Sequence, residues 1–387
     1  MTAPLSLLRR VGNRELDSTE LAELYNIAYL LQNARTAHQA EAAAQSLNKI
    51  ADRLRVERAH TLLEKELDPI LDHLPLCDVV TVGQASRALQ AAVKGYIQRR
   101  IRGLLSGWFK HPDYFRKLLH SSRGVLSGST VLAFILGLDW GQQDLDIYIP
   151  RSYRELDASY FLRQLQNYLT EVEGYKVESV QTVKDVAASL PPGELPLIQQ
   201  TDMDTDVEGG FDFDYDNGQV RTVVKLSLEN PNSMNPTTID LVEGAHPGSP
   251  VAPISRFHTT FVMNYISSSS ITVLYPQQTF IMQGVLNERI DVTRPKQIAW
   301  MEKYQSRGFK IITNPSTMDM PCGPACRSIW RRTDDKGSMV VSFDDPIPGA
   351  LPEYKWTLAK HGRPLKPGKC SNVLCHRGVK GEEWPSR

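Results

Sequence analysis

Two aspartates stand two residues apart in the stretch Asp144-Leu145-Asp146-Ile147-Tyr148-Ile149-Pro150. On a β-strand, residues two apart share a face and are separated by a rise of about 6.5 Å, so the two carboxylates project together while Leu145 and Ile147 turn inward. Paired carboxylates are hard oxygen ligands suited to Mg²⁺. A pair of such ions about 3.5 to 4 Å apart can stabilise both the attacking and the leaving oxygen of a phosphoryl displacement. A third carboxylate is on offer at Asp240, where Thr238, Asp240 and Val242 alternate with Ile239 and Leu241 as in a half-buried strand. Upstream, Gly128 and Ser129 open the apolar run Thr130-Val-Leu-Ala-Phe-Ile-Leu136. If that run is a helix, Ser127 can cap it, and its free backbone N–H groups suit a triphosphate. Each piece alone has a structural explanation, since strand-end aspartates cap turns and Gly-Ser often does no more than start a helix. The three pieces together point to nucleotide chemistry.

A second set of chemically able residues lies near the C-terminus. Cys77 stands alone, whereas Cys322 and Cys326, then Cys370 and Cys375, form C-x3-C and C-x4-C pairs, the latter followed by His376. An odd cysteine count with no signal peptide argues against a disulfide framework. Two short loops, each offering two thiolates, suit one tetrahedral Zn²⁺. The other reading is of small buried residues in a Pro/Gly-rich loop and free thiols near the terminus.

The surrounding chain has to hold these groups in place. Its 387 residues carry 44 basic and 44 acidic side chains, 41% hydrophobic residues and a mean hydropathy of −0.32. That composition fits neither wholesale disorder nor a fibrous chain. No stretch approaches the roughly 20 apolar residues of a membrane span, so a cytoplasmic or nuclear protein with no membrane partner is expected. The charge is unevenly spread, with about eleven acids against two bases over residues 190–250 and about eighteen bases against eleven acids over 287–387. The basic end could track phosphates, although scattered basic residues are more often simply solvated.

The pattern predicts an α+β molecule in three parts. Residues 1–120 read as helical, with a helix over 14–68 and a helical hairpin or triplet within 66–100. Residues 121–312 alternate strands and helices. Strands are expected at 144–150, 175–183, 220–228 and 237–242, a long helix follows the first, an acidic solvated loop spans 191–218, and a helix covers about 280–305. Residues 313–387 read as a Pro/Gly-rich basic tail carrying the cysteine pairs.

Gly128, Ser129, Asp144, Asp146 and Asp240 match the motif of the DNA polymerase β-like nucleotidyltransferase superfamily, which the segment from about 121 to 290 resembles. That resemblance implies transfer of a nucleoside monophosphate from an NTP by two metal ions, with all three aspartates as ligands and Asp240 activating the acceptor hydroxyl. Fourteen residues separate Ser129 from Asp144, one more than the usual spacing. In Arg256-Phe-His-Thr-Thr-Phe-Val-Met-Asn264, His258 stands where tRNA nucleotidyltransferase heads have an acid, which leaves the choice of nucleotide open. Separately, Leu74, Pro75, Asp78, Val79, Val80, Ser86, Arg87 and Leu89 resemble an F-box, implying that Leu74, Pro75 and Val79 present an exposed face to a Skp-type adaptor of a ubiquitin ligase. The whole layout is similar to an uncharacterised fungal F-box-like family, through Ser127–Ser129, Asp144–Pro150, Ile239–Leu241, Phe257–Ile266, Tyr275–Thr279 and Cys370–Cys375. Two functions are therefore expected as alternatives: a nucleotidyltransferase acting on RNA, protein or a small molecule, and a non-catalytic adaptor built on the same scaffold.

Overall fold

The computed structural model describes residues 67–141, 144–152, 159–182, 219–229, 236–247, 249–290, 292–343, 351–360, 362–366 and 369–377. The helix expected over 14–68 falls outside these residues apart from its last two positions, and the acidic stretch 191–218 falls outside them entirely. The chain divides into two units, Met1–Gly107 with Ala133–Trp140, and Trp108–Leu132 with Gly141–Arg387.

In the first unit, Pro75 leads into helix α1 (Leu76–Gln84), whose Leu76, Val79 and Val82 recur at a spacing of three and are all buried. Ser86 then caps α2 (Arg87–Ser106), its Oγ accepting a hydrogen bond from the Leu89 backbone N–H at 3.2 Å. Arg99 grips Asp68 through two hydrogen bonds of 2.8 and 2.7 Å, and the Tyr96 hydroxyl donates to Asp72 at 2.9 Å. The exposed docking face expected of Leu74, Pro75 and Val79 is not formed. Leu74 and Val79 are 2% and 0% exposed and Pro75 is half-buried, so these side chains face the interior, Val79 as part of the apolar stripe of α1.

The second unit is built on an eight-stranded sheet. After α3 (Pro112–Ser121), the three-residue β1 (Val125–Ser127) runs directly into α4 (Gly128–Leu136), and β2 (Asp144–Arg151) returns antiparallel to β1. Helix α5 (Tyr160–Asn167) continues as a wider π turn over Tyr168–Glu173, which Gly174 ends at φ +89°. Strands β3 (Lys176–Thr182), β4 (Val220–Leu228) and β5 (Thr237–Pro247) follow. Beyond α6 (Val251–Ile254) come β6 (Asn264–Ile266), β7 (Ser270–Val273), α7 (Pro276–Phe280), β8 (Gln283–Val285), α8 (Pro295–Ser306) and β9 (Lys310–Ile312). The chain then forms β10 (Arg331–Arg332), β11 (Met339–Ser342) and β12 (Lys355–Trp356).

The sheet order is β11-β7-β6-β1-β2-β5-β4-β3, with β2 and β5 parallel and every other neighbouring pair antiparallel. Its two faces are covered differently. Leu145 and Ile147 of β2 sit beside Ile239 and Leu241 of β5, all buried, on the face where Ser159, at the start of α5, bonds Glu243. On the other face Val125, Tyr148, Val242 and Val223 lie abreast and pack with Tyr265, Tyr275, Ala325, Trp356 and Leu358.

Two expectations change. The single helix over 280–305 is instead α7, the short strand β8 and α8, because Gly284 lies against the Phe261 ring. A Cβ at Gly284 would come within 2.2 Å of Phe261 Cδ1. The described residues after 313 are no separate tail: β11 pairs with β7 in the main sheet, and Trp356 and Leu358 are part of its core.

Candidate functional site

The site begins with strand register. Asp146 lies directly opposite Asp240 across the parallel β2–β5 pair, and Asp144 lies opposite Thr238. Cross-strand partners share a face, so all three carboxylates line one face. They stand at its rim, two residues before the buried Tyr148 and Val242 begin the apolar core. Asp146 and Asp240 are half-buried and Asp144 is exposed, which leaves the carboxylates open to solvent. Their oxygens are not drawn into one tight group. Among the described residues, Cys322, Cys370 and Cys375 form the set of acidic, cysteine or histidine ligand atoms that all lie within 4.8 Å of one another.

The turn from β1 into α4 is shaped around Asp146. Gly128 adopts φ +81°, and a Cβ there would lie 1.8 Å from Asp146 Oδ2, so both conformation and space call for glycine. Ser129, the second residue of the helix, is 6% exposed and its Oγ has no hydrogen-bond partner. A buried hydroxyl without a partner, at a helix N-terminus, is a donor left unsatisfied. Thr130 Oγ1 donates to the Asp144 carbonyl and so ties the helix start to the first carboxylate strand. The Ser127 cap does not form: as the last residue of β1, its hydroxyl donates to the Asn264 carbonyl at 2.6 Å.

Two neighbours of the carboxylates escaped the sequence reading. Lys225 of β4 lies directly opposite Asp240 on the same face, which sets an ammonium-bearing side chain beside the third aspartate. The sequence offered little signal for it, since Lys225 alternates with the apolar Val224, Leu226 and Leu228 and so reads as an ordinary solvated position. Tyr304 of α8 is the other. Burial raises its pKa first, and the charges of Asp146 and Asp144 add to the rise. Its ring packs on Phe261 at 5.0 Å and Phe309 at 5.6 Å, with Arg307 over it at 5.6 Å. His258 is stacked 3.6 Å from Trp300 at an interplanar angle of 10°, and its Nδ1 lies 3.2 Å from Thr259 Oγ1. Burial, with Lys303 nearby, lowers the His258 pKa to about 3, so at neutral pH it is a neutral ring in an aromatic wall.

Comparison with family models, curated proteins and solved structures gives no relative for this chain.

The four C-terminal cysteines are brought together. Cys322 and Cys326 flank the 3₁₀ turn Gly323–Ala325, and Cys370 and Cys375 come from a second loop ending in the 3₁₀ turn Val373–Arg377. All four are buried free thiols in one cluster with Ile329, whereas Cys77 lies apart in α1. Cys322 and Cys370 Sγ atoms are 3.8 Å apart, and the Cys322 backbone N–H donates to Cys375 Sγ at 3.1 Å. Hydrogen bonds from the Cys322 thiol, and more weakly from Cys370 and Cys375, hold Cys326 down to about 5, while the same contact raises Cys322. Cys322, Cys370 and Cys375 could hold a metal ion.

Proposed function

We propose that the protein is a metal-dependent nucleotidyltransferase that moves a nucleoside monophosphate from an NTP to an acceptor hydroxyl on RNA, protein or a small molecule. The alignment of Asp146 with Asp240 on one sheet face, beside Asp144 and the Gly128–Ser129 helix start, carries this reading. In it, Asp144, Asp146 and Asp240 hold Mg²⁺, which when bound supplies Lewis-acid stabilisation of the attacking and leaving oxygens. Asp240 accepts the proton of the acceptor hydroxyl as its oxygen attacks the α-phosphorus. The bond from that phosphorus to the bridging oxygen breaks and pyrophosphate leaves. The Ser129 hydroxyl and the N-terminal N–H groups of α4 bind the triphosphate, and Gly128 lets the chain pass close to Asp146. Lys225 offsets the charge gathered around Asp240. The cysteine cluster holds Zn²⁺, a softer partner for thiolates than the ions at the aspartates.

Equilibrium dialysis with each labelled NTP, with and without Mg²⁺, tests the nucleotide site. Wild type is expected to retain at least one NTP only when Mg²⁺ is present, and the Asp144→Ala/Asp146→Ala protein to retain none. Equal retention by both proteins would remove the aspartates from the site.

A further inference from the structure

We infer that Cys326 is the fourth ligand of a closed, tetrathiolate zinc centre that acts as a structural clasp and takes no substrate. The inference deepens the zinc assignment made above and rests on it. Zn–S bonds of about 2.3 Å at the tetrahedral angle place neighbouring sulfurs about 3.8 Å apart. That is the Cys322–Cys370 separation, 3.8 Å, and nearly twice the length of a disulfide bond. Cys326 is not one of the tight group of three, yet it is buried in the same cluster as Cys322, Cys370 and Cys375, four residues along the same tight turn from Cys322.

Burial distinguishes a closed centre from a catalytic one. A catalytic zinc keeps a position for water or substrate, but the four cysteines are 0%, 2%, 5% and 4% exposed, in the order 322, 326, 370 and 375. A backbone group already supports a sulfur at this spot, the Cys322 N–H donating to Cys375 Sγ at 3.1 Å. Each pair sits on its own tight turn. In one, Gly323 takes φ +56° between Cys322 and Cys326. In the other, Asn372 accepts from the Leu374 N–H at 2.9 Å and reaches across to donate to the Met320 carbonyl at 2.7 Å.

The clasp has something to hold. The Cys322 carbonyl accepts from Gln278 of α7, and the Pro324 carbonyl accepts from Arg331 at 3.3 Å. Arg331 is 1% exposed, paired with Asp335 at 2.6 Å and bonded to the Leu274 carbonyl at the end of β7. Joining the loop 322–326 to the loop 370–375 therefore fixes the C-terminal chain against the sheet by a bond that a Pro/Gly-rich segment could not supply through packing alone.

The test uses the full chain expressed with zinc available. Elemental analysis is expected to find one zinc per wild-type chain, and the cobalt-substituted protein is expected to show the strong sulfur-to-cobalt charge-transfer absorption of four thiolates. Cys326→Ser should weaken zinc binding by more than the ~10- to 100-fold typical of losing a supporting hydrogen bond and reduce that absorption, whereas Cys77→Ser should change neither. A zinc-free wild type would remove the metal assignment itself. A three-thiolate cobalt spectrum in wild type, which requires no variant to fold, would leave the metal and overturn the fourth ligand. Wild-type affinity in Cys326→Ser would overturn it too.

Discussion

The aspartate face and the cysteine cluster gather their ligands in opposite ways. The aspartates reach one face through strand register, with rigid neighbours on both sides, and they stay half-buried or exposed at the rim of the core. The cysteines come from two short turns nearly fifty residues apart, and burial is what unites them. Groups left open to solvent at the rim of a sheet can exchange a ligand, and groups sealed by burial cannot. On the proposed reading the first region carries chemistry and the second stability, and altering one region should leave the property of the other unchanged.

Stripping the cysteine cluster of metal should have the largest effect. Treatment with a thiol-reactive mercurial and a chelator is expected to lower Tm by about 10 °C, corresponding to ~3 kcal/mol or more for a unit of this size, with a change in tryptophan fluorescence as Trp356 loses its packing. An unchanged Tm would break the division of roles. Asp146→Asn should be the mirror image: label transfer falls by about 10³-fold or more, equivalent to ~4 kcal/mol of barrier, while Tm holds or rises as like charges are relieved. If Tm fell as far as activity, the aspartates would be structural.

Gly128→Ala touches both properties, since the new methyl must displace Asp146 and also adopt a left-handed conformation costing ~1 to 2 kcal/mol. Thermal denaturation should register that loss, and transfer should fall with it. Ser129→Ala is expected to have the smallest effect. Its Oγ bonds nothing within the protein, so its removal should leave Tm unchanged but weaken NTP binding by about tenfold, as for loss of one charge-assisted hydrogen bond. A drop in Tm with unchanged NTP affinity would place that hydroxyl in the fold and outside the site.

Period-two alternation made β2 and β5 legible in the sequence, because near the carboxylates Leu145, Ile147, Ile239 and Leu241 are buried while Asp144, Asp146 and Asp240 between them are not. Pairing is a long-range property, so the alternation could suggest that Asp240 joins Asp144 and Asp146 but could not show that β5 lies parallel to β2. The cysteine pairs were visible from spacing. Arg331 was not: among eighteen C-terminal bases it looked solvated, and only the fold supplies Asp335, the Leu274 carbonyl and the Tyr275 ring that let a guanidinium be buried. The same holds for β8, where a backbone approach to Phe261 overrides a helical pattern, and for Leu74 and Val79, whose motif spacing says nothing about which way an apolar side chain faces.

The central claim is that the open carboxylate face transfers nucleotides. The most direct measurement incubates zinc-replete protein with Mg²⁺, each labelled NTP and pooled RNA or cell extract, alongside the Asp144→Ala/Asp146→Ala protein at matched Tm. The account predicts label joined to an acceptor by wild type alone and no transfer when Mg²⁺ is withheld. Absence of transfer with every nucleotide from folded wild type, or equal transfer by the double variant, would contradict it.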